Sequence, residues 1–393
     1  MLFQIGAGKI GRSFIAQIFN KAGYRIVFAD IDPCLINALN DEGSYKVIFK
    51  SNDFTETYNV SDITAIEFNE TSAVVNAIIN ADTIAVSVGK NSLFKLAGLL
   101  GEGISKRYAI RKDDPIDLIL AENIRDASNL LYNEISKYTK GVPIDSYVGF
   151  VETSIGKMVP LMTQNQLKED PLAIFTEPYN QLILDKNAFR GAIPDVPDLQ
   201  PKENMKAWVD KKIFIHNMGH ATLAYQCNFH YPDIKATWEA LEINELKNIT
   251  RKTMQQSARI LMQMYPEEFS IDQIDKHIAD LLKRFANRAL GDTIYRVGRD
   301  LHRKLGRDDR FIVPIMNALN YGSECKLILE AWVKGCYFNA VNEEGRMFTE
   351  DKKFKEKYAE DPVTILRAHC NFDPKDDTLI FDMVSAIIKH LNK

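Results

Sequence analysis

The sequence predicts an α/β protein in which an N-terminal Rossmann-type domain, a doubly wound parallel sheet, is followed by a mostly α-helical C-terminal domain. Three observations predict this fold class. The chain has 393 residues, more than one hydrophobic core usually serves, so two domains are expected. Its first half alternates short apolar runs with helical stretches, as in a parallel sheet covered on both faces. Beyond Pro201, helical periodicity dominates instead.

The candidate strands are short apolar runs that turn-forming residues separate. They are Leu2–Ile5, Arg25–Ala29, Thr83–Val88, Asp117–Ala121 and Val148–Glu152. After Pro160 the sequence becomes polar and rich in proline. The helical stretches that follow are Met205–Gln226, Asp233–Tyr265 and Ile271–Arg288. We therefore expect a cofactor-binding Rossmann domain over residues 1–190 and a helical substrate and catalytic domain over residues 191–393.

The composition narrows the class of protein. Hydrophobic residues make up 46% and charged residues 26%, which is typical of a soluble globular protein. The net charge of −4 gives no electrostatic reason to bind nucleic acid or an anionic membrane. The five cysteines have no C-x-x-C or metal-ligand spacing, so we expect reduced thiols and no metal site. Without an apolar run long enough to span a bilayer, and without a signal-peptide pattern, a cytoplasmic location is expected.

A glycine-rich turn follows the first strand and opens a helix. Residues 6–11 read Gly-Ala-Gly-Lys-Ile-Gly, a G-x-G-x-x-G pattern in the context that gives it meaning. Gly6 permits the tight turn, Gly8 lets the backbone approach a pyrophosphate, and Gly11 lets the helix pack on the strand. The N–H groups and positive dipole end of that helix favour phosphate. The expected cofactor-binding residues here and after the third strand are Gly6, Gly8, Lys9, Ile10, Gly11 and Gly89.

Asp30 decides which dinucleotide is expected. It ends the second strand, about 20 residues after the last glycine, where an acid accepts hydrogen bonds from the adenosine ribose. A carboxylate there repels the 2′-phosphate of NADP, and residues 31–33 contain no arginine to receive that phosphate. The sequence therefore predicts NAD as the cofactor. Asp32 is the alternative to Asp30 for the same role.

Lys212, Asn217 and His220 share one helical stretch. In α-helical geometry the three fall within an arc of roughly 140°, so all can border one cleft. Alcohol oxidation without a metal needs a base that takes the hydroxyl proton while hydride leaves for the nicotinamide. Lys212 can be that base if burial and the nicotinamide charge lower its pKa from about 10.4 toward 7–8. The alternative is a solvated lysine beside a core histidine.

Two amides complete the expected site. Asn217 and Asn123 suit a developing alkoxide because amide N–H donors stabilise negative charge without titrating. Asn123 follows the C-terminal end of a candidate strand, at the sheet edge where such folds bind ligands. A helix N-cap is the alternative for Asn123. His220 is expected to orient either the lysine or a substrate hydroxyl.

These residues resemble the mannitol dehydrogenase family of long-chain polyol dehydrogenases. The similarity covers most of the chain, and the K-x-x-x-x-N-x-x-H pattern from Lys212 to His220 is its most specific element. The other matching segments include the glycine turn, Phe28-Ala29-Asp30, Glu122-Asn123, Asp185-Lys186 and Phe189-Arg190-Gly191.

The resemblance has implications for mechanism and partners. It implies a zinc-independent dehydrogenase with a cleft between its domains, in which Lys212 is the base. It assigns the oxyanion to Asn217 and Asn123, and orientation to His220. It also implies a small-molecule sugar substrate and a monomer or small homo-oligomer.

A basic segment bears on the substrate. If the segment is helical, Arg296, Arg299 and Arg303 line one face at i, i+3 and i+7, with Lys304 beside them. Guanidinium groups match phosphate geometry, and the resemblance to the phosphate-using branch of the family favours a sugar-alcohol phosphate. The expected reaction is the reversible oxidation of mannitol 1-phosphate to fructose 6-phosphate. The alternative is a solvated face on which neighbouring aspartates pair these cations.

Some positions depart from the family pattern. Gly156 replaces an aspartate that helps to hold substrate hydroxyls in relatives, and Lys157 replaces an arginine. These departures leave open a hexuronate reductase acting on tagaturonate or fructuronate, and an unphosphorylated polyol dehydrogenase. A non-catalytic nucleotide-binding sensor is the hypothesis outside enzymes.

Overall fold

The computed structural model describes residues 1–122, 126–160, 162 and 164–391. The chain divides into two units, Met1–Trp208 and Val209–Lys393. Parallel strands form the centre of the first unit, and helices form the second.

The strands lie in the first unit. Their bounds are β1 (Leu2–Ile5), β2 (Ile26–Asp30), β3 (Ser44–Lys50), β4 (Thr55–Ser61), β5 (Ile63–Glu67), β6 (Thr83–Val86), β7 (Ile116–Leu120), β8 (Val148–Ser154), β9 (Ile174–Thr176), β10 (Leu182–Asp185) and β11 (Leu199–Lys202). Among the described residues, eight of them form a sheet in the order β11-β10-β8-β7-β6-β1-β2-β5. The pairs from β8 to β5 are parallel, whereas β10 is antiparallel to β8.

The central strands are buried on both faces, as parallel strands are when helices cover them. Every residue of β1, β6 and β7 is buried. Strand β1 lies between β2 and β6. The chain continues from β1 to β2 on one side, and it later crosses to the other side of β1 to form β6 and then β7. The carboxyl end of β1 is therefore the topological switch point at which open α/β sheets bind ligands.

Helices pack on the sheet of the first unit. A π-helical turn, Gly11–Ala16, precedes α1 (Gln17–Lys21). The other helices are α2 (Pro33–Glu42), α3 (Thr71–Asn80), α4 (Lys90–Leu93), α5 (Ala97–Ile110), α6 (Ala127–Ile135), α7 (Ile144–Tyr147), α8 (Gln164–Glu169) and α9 (Met205–Lys211). The division between the units falls within α9.

The second unit is helical. A π-helical turn, Lys212–Asn217, leads into α10 (Met218–His230). The remaining helices are α11 (Thr237–Glu242), α12 (Asn244–Met264), α13 (Ile271–Phe285), α14 (Ile294–Gly298), α15 (Leu301–Lys304), α16 (Ile312–Tyr321), α17 (Lys326–Cys336), α18 (Thr349–Tyr358), α19 (Pro362–Ala368) and α20 (Thr378–Leu391). Helix α10 packs against α12, α14 and α17 and is buried along most of its length. The predicted helical C-terminal half is confirmed.

The structure adds strands that the sequence patterns did not predict. Strands β3 and β4 form an antiparallel hairpin, and β9 pairs with β3 to complete a three-stranded sheet. The division of the chain lies after Trp208, whereas the sequence placed it after residue 190. The reason is that residues beyond 190 return to the large sheet as β11, which pairs with β10.

Candidate active site

The glycine turn is shaped by close backbone approaches. Gly6 has φ +93°, and a Cβ on it would lie 2.3 Å from the carbonyl oxygen of Ser87. A Cβ on Gly11 would lie 2.0 Å from the carbonyl oxygen of Gly6, so glycine is needed at both positions. Gly8 differs, because it is exposed and no heavy atom lies within 4 Å of where its Cβ would be. Space for a ligand is therefore open at Gly8.

Asp30 and Asp32 have different roles in the structure. The Oδ2 of Asp30 accepts a hydrogen bond from the N–H of Ala7 in the glycine turn at 2.6 Å. Asp32 instead caps helix α2, where its Oδ1 accepts hydrogen bonds from the N–H groups of Cys34 and Leu35. Asp30 is thus the acid beside the glycine turn, at the end of β2.

The other expected cofactor residues lie around the same sheet edge. The Nζ of Lys9 donates to the carbonyl of Pro160 at 3.2 Å, and Ile10 packs against the core of the first unit. Gly89 follows β6 with φ +82°, and its N–H donates to Oε1 of Glu122 at 2.7 Å.

Glu122 is a residue that the sequence reasoning left out of the site. Its Oε1 accepts hydrogen bonds from the N–H groups of both Val88 and Gly89, and burial raises its pKa. It therefore holds the turn after β6 against the end of β7. In the sequence analysis Glu122 has no role of its own and occurs only in a segment that matches the family. Asn123 lies outside the described residues, so its predicted role stays a prediction.

Lys212 and Asn217 are the first and last residues of the π-helical turn. The N–H of Met218 donates to the carbonyl of Ile213, a bond that reaches back five residues where an α-helix reaches back four. Residues five apart are therefore closer to one face in this turn than the roughly 140° that separates them in an α-helix. The predicted arc assumed α-helical geometry, and the π turn narrows it for Lys212 and Asn217. That these side chains border one cleft with His220 stays a prediction.

Lys212 has the electrostatic surroundings of a base. Its side chain is half-buried at the start of the turn. Burial, and then the charge of Arg310, lower the pKa of Lys212 from 10.5 to about 8. An amine with this pKa is partly neutral near neutral pH, as proton abstraction requires.

Arg310 is the second residue that the sequence reasoning left out of the site. It is buried, and its Nε donates to Oδ1 of Asp309 at 2.7 Å. Its Nη1 donates to the carbonyl of Asn217 at 3.2 Å. Burial raises the pKa of Asp309, but the charge and hydrogen bonds of Arg310 outweigh burial and hold that pKa below its usual range. An ion pair is thus fixed beside the π turn.

His220 lies one turn beyond Asn217 and is held by an aromatic ring. Its imidazole stacks on Phe285, with ring centroids 4.2 Å apart and planes within 4°. Burial lowers its pKa to about 4, because the opposing effect of Asp292 is smaller. The ring is therefore neutral near neutral pH. His216, one turn earlier, is buried 5.5 Å from the same Phe285 ring, and burial lowers its pKa as well.

Asp292 was not singled out from the sequence. Its Oδ2 lies 3.8 Å from Nε2 of His220, and its Oδ1 forms an ion pair with Arg296. Only 2% of its side chain is exposed. Because it is distant from His220 along the chain and belongs to no recognised motif, only the fold could reveal it.

The four predicted phosphate-binding cations are not on one helical face. Helix α14 ends at Gly298 and α15 begins at Leu301, with Asp300 between them at φ +76°. The segment is therefore not one continuous helix, which was the condition for placing Arg296, Arg299 and Arg303 on one face at i, i+3 and i+7. The break in the helix separates Arg296 from Arg303.

Three of these cations form an ion pair or a hydrogen bond with an oxygen atom of the protein. Arg296 pairs with Asp292, and the buried Lys304 donates to the carbonyl of Val297. Burial lowers the pKa of Lys304. The exposed Arg303 pairs with Asp300 at 2.6 Å, and more weakly with Asp309 at 3.5 Å.

Arg299 is different from the other three. Its guanidinium lies over the rings of Tyr295 and Phe348, 5.5 and 5.2 Å from their centroids. Within residues 1–122, 126–160, 162 and 164–391 it has no carboxylate partner. Ring contacts use the faces of a guanidinium and leave its N–H edges for an anion.

Gly156 and Lys157, which depart from the family pattern, differ in how tightly their surroundings hold them. Lys157 is buried and donates to the carbonyl of Tyr179 at 2.8 Å and to Oδ1 of Asn180 at 2.6 Å. A Cβ on Gly156 would lie 3.5 Å from the Tyr179 ring, an ordinary contact. Packing therefore does not require glycine at 156.

Two features are absent from the described residues: a metal-ligand cluster and a membrane-spanning helix. In that part of the chain, no group of three or more His, Cys, Asp and Glu side chains is placed to hold a metal ion. None of its helices combines the length and the apolar character needed to cross a bilayer.

Comparison with known proteins decides the family. Residues 1–198 match the model of the mannitol dehydrogenase Rossmann domain, and residues 204–369 match that of the mannitol dehydrogenase C-terminal domain. The chain belongs to the mannitol dehydrogenase family. This membership confirms the predicted fold class and the prediction of a Rossmann-fold dehydrogenase.

Relatives and solved structures agree with this membership. A mannitol-1-phosphate 5-dehydrogenase of Buchnera aphidicola is 30% identical over 344 residues, which is 86% of each chain. A D-sorbitol dehydrogenase structure superposes with a TM-score of 0.82 at 14% identity, covering 98% of this chain and 91% of that one. Mannitol 2-dehydrogenase of Pseudomonas fluorescens, in a complex with NAD and D-mannitol, gives a TM-score of 0.67 at 14% identity, covering 99% and 94%. At these identities the two structures support the fold alone.

Proposed function

We propose that this member of the mannitol dehydrogenase family catalyses the NAD-dependent, reversible oxidation of a sugar-alcohol phosphate, mannitol 1-phosphate to fructose 6-phosphate. Lys212 is the general base in this proposal. The observation that carries the proposal is the burial and the lowered pKa of Lys212, which lies in the most family-specific motif. This amine is half-buried at a π turn beside Arg310, and its pKa is lowered to about 8.

The proton chemistry follows from that pKa. In oxidation, neutral Lys212 takes the hydroxyl proton as the carbonyl forms, and in reduction its ammonium returns the proton. The amide groups of Asn217 and Asn123 donate to the oxygen while it carries negative charge. Because an amine and two amides supply these functions, the proposed step needs no metal ion.

NAD supplies the hydride acceptor when it is bound. The residues of the glycine turn fit a dinucleotide, because the open space at Gly8 lets a pyrophosphate approach the backbone. The Asp30 carboxylate lies beside the turn, where it favours a free ribose over a 2′-phosphate.

Arg299 is the proposed phosphate ligand. Its N–H edges have no carboxylate partner among the described residues, whereas Arg296 and Arg303 are already paired with acids. A guanidinium binds phosphate through two parallel hydrogen bonds, which a neutral hydroxyl cannot replace. The curated relative acts on a phosphorylated sugar alcohol by its name, which supports the same substrate class.

The experiment compares ketoses as oxidants of NADH. Initial rates would be measured with fructose 6-phosphate, fructose, tagaturonate and fructuronate, with and without a chelator. We expect kcat/KM for fructose 6-phosphate to exceed that for fructose by about 100-fold, the value of one or two charge-assisted hydrogen bonds. The chelator should leave the rate unchanged.

Each alternative has its own outcome. Equal kcat/KM for fructose and its phosphate would indicate an unphosphorylated polyol dehydrogenase, and a preference for tagaturonate or fructuronate would indicate a hexuronate reductase. NADH binding without turnover of any ketose would indicate a sensor. Each of these results contradicts the proposal.

A further inference from the structure

Two buried polar atoms face each other beside the π turn. The Nε2 of His220 and the Oδ2 of Asp292 are 3.8 Å apart. Neither atom has a hydrogen-bond partner among the residues that the structure describes. The distance is longer than a hydrogen bond, which joins such atoms at about 2.7–3.2 Å. Because an unsatisfied buried polar group costs about 1–3 kcal/mol, a movement of about 1 Å that joins the two is favoured.

The other oxygen atoms of Asp292 already have partners. Its Oδ1 forms the ion pair with Arg296, and its backbone carbonyl accepts from the N–H of Thr237 at 3.0 Å. Oδ2 is therefore the acceptor that remains. Stacking on Phe285 restricts the plane of the His220 ring, so the two atoms are held in facing positions.

We propose that Asp292 is a positioning residue that acts through His220: its Oδ2 accepts from Nε2–H, fixes that tautomer, and leaves Nδ1 as a hydrogen-bond acceptor for a substrate hydroxyl. The inference rests on the proposed function for the contact between His220 and the substrate. Asp292 itself touches neither substrate nor cofactor in this scheme.

The tautomer matters because the ring is neutral. A neutral imidazole has one N–H donor and one acceptor nitrogen, and the partner of one nitrogen decides the role of the other. Burial lowers the pKa of His220 to about 4, so near neutral pH the ring does not simply donate from both nitrogens. A hydroxyl that donates its hydrogen to Nδ1 is held in one orientation, and this prepares it for attack by the base.

A purely structural role for Asp292 is the competing explanation. In that case the carboxylate only neutralises Arg296, and His220 lies nearby by coincidence. The two explanations differ in what happens when His220 is absent, because only a positioning residue needs His220 for its effect.

The first test is a double-mutant cycle with the ketose that proves to be the substrate. Asp292→Asn should lower kcat/KM by about 10- to 100-fold, as loss of a positioning partner does. Combined with His220→Ala, it should cause no further loss beyond that of His220→Ala alone. Additive losses would overturn the proposal. Arg296→Gln serves as the matched control, since restoration of activity in the Asp292→Asn/Arg296→Gln double variant would indicate charge balance alone and would also overturn it.

The second test needs no substrate, so it separates this inference from the proposed function. The ¹⁵N chemical shifts of labelled histidine in the ligand-free protein report which ring nitrogen carries the proton, and His220→Gln assigns the resonance. We expect the Nε2–H tautomer in the unmodified chain and a shift toward Nδ1–H in Asp292→Asn, whose amide can donate to Nε2. An Nδ1–H tautomer in the unmodified chain would refute the inference even if Asp292→Asn fails to fold.

Discussion

The guanidinium of Arg310 donates a hydrogen bond to the backbone carbonyl of Asn217 at 3.2 Å, although the two residues are 93 positions apart. This contact joins a buried cation to the π turn that begins with Lys212. Burial is the main cause of the lowered pKa of Lys212, and the charge of Arg310 lowers it further. Asp309 holds Arg310 in place through Nε, so the charge near the amine is fixed rather than mobile.

The pH dependence of the reaction should report Lys212. With a pKa of about 8, the neutral base is lost as the pH falls below 8, so kcat/KM for polyol oxidation should fall about tenfold per unit there and be level above it. Ketose reduction needs the ammonium and should show the opposite profile, level below 8 and falling above. In the oxidation direction the positive charge of bound NAD should lower the midpoint somewhat further. Initial rates across pH at constant ionic strength measure both limbs, and parallel profiles in the two directions would contradict the assignment.

Removal of the amine should abolish most of the turnover. For Lys212→Met we expect kcat to fall by about 10²–10⁴-fold, the contribution of a general acid or base, while the Kd for NADH stays within about threefold. Stopped-flow or steady-state rates and fluorescence titration measure the two quantities. Lys211→Met is the matched control, because Lys211 precedes the turn and lies 5.6 Å from the Phe269 ring. A similar loss of kcat in both variants would indicate damage to the helix rather than loss of a base.

Arg299 should discriminate between phosphorylated and free substrates. We expect Arg299→Gln to raise KM for fructose 6-phosphate by about 10- to 100-fold, because charge-assisted hydrogen bonds contribute about 1.5–3 kcal/mol. The KM for fructose, which is higher in the unmodified protein, should stay nearly unchanged. Arg303→Gln is the control, because Arg303 is exposed and already paired with Asp300. Kinetics with both ketoses would decide the matter. An equal effect of Arg299→Gln on the two substrates would exclude Arg299 as the phosphate ligand.

Asp30 should determine the choice of nicotinamide cofactor. Asp30→Ser removes the charge that repels a 2′-phosphate, so the ratio of kcat/KM for NADPH to that for NADH should rise at least about tenfold. Asp32→Asn is the control because Asp32 caps α2 and asparagine caps helices equally well. Rates with the two reduced cofactors give the ratio. If Asp32→Asn changes this ratio and Asp30→Ser does not, the alternative acid is the ribose ligand.

Two glycines of the turn should respond differently to alanine. Gly8→Ala adds a methyl group into open space, so the melting temperature should change little while the Kd for NADH rises about tenfold or more. Gly11→Ala would place Cβ 2.0 Å from the Gly6 carbonyl and should destabilise the fold by at least about 1–3 kcal/mol. Thermal unfolding and NADH titration separate the two effects. A stable Gly11→Ala variant would mean that the turn can shift to make room.

The sequence predicted the parts of the fold whose residues form a recognisable local pattern. Strands β1, β2, β6, β7 and β8 were predictable because they are apolar runs buried on both faces. Strand β4 was not, because its seven residues are mostly exposed and become a strand by pairing with β3. Strand β11 contains a proline at an edge of the sheet, and nothing local distinguishes it from a loop.

The candidate site was predictable to the extent that it lies within motifs. Lys212, Asn217 and His220 follow from one pattern, but the π turn that arranges them does not, because periodicity assumes one helical geometry. Arg310 and Asp292 come from distant positions that α-helical packing brings to α10, so only tertiary structure shows them beside the motif. The cations from Arg296 to Lys304 do not share a single helical face, because Asp300 adopts a left-handed conformation in the middle of this segment.

The π turn over Lys212–Asn217 also has a consequence for sequence variation. A π turn contains one residue more than an α-helical turn, because its hydrogen bonds reach back five residues where those of an α-helix reach back four. Deletion of one residue between Lys212 and Asn217 would therefore return the turn to α-helical geometry, with the two side chains four positions apart on one face. A one-residue gap at this stretch in an alignment would mark a change in the kind of helical turn, and the lysine, asparagine and histidine on either side of the gap would still correspond.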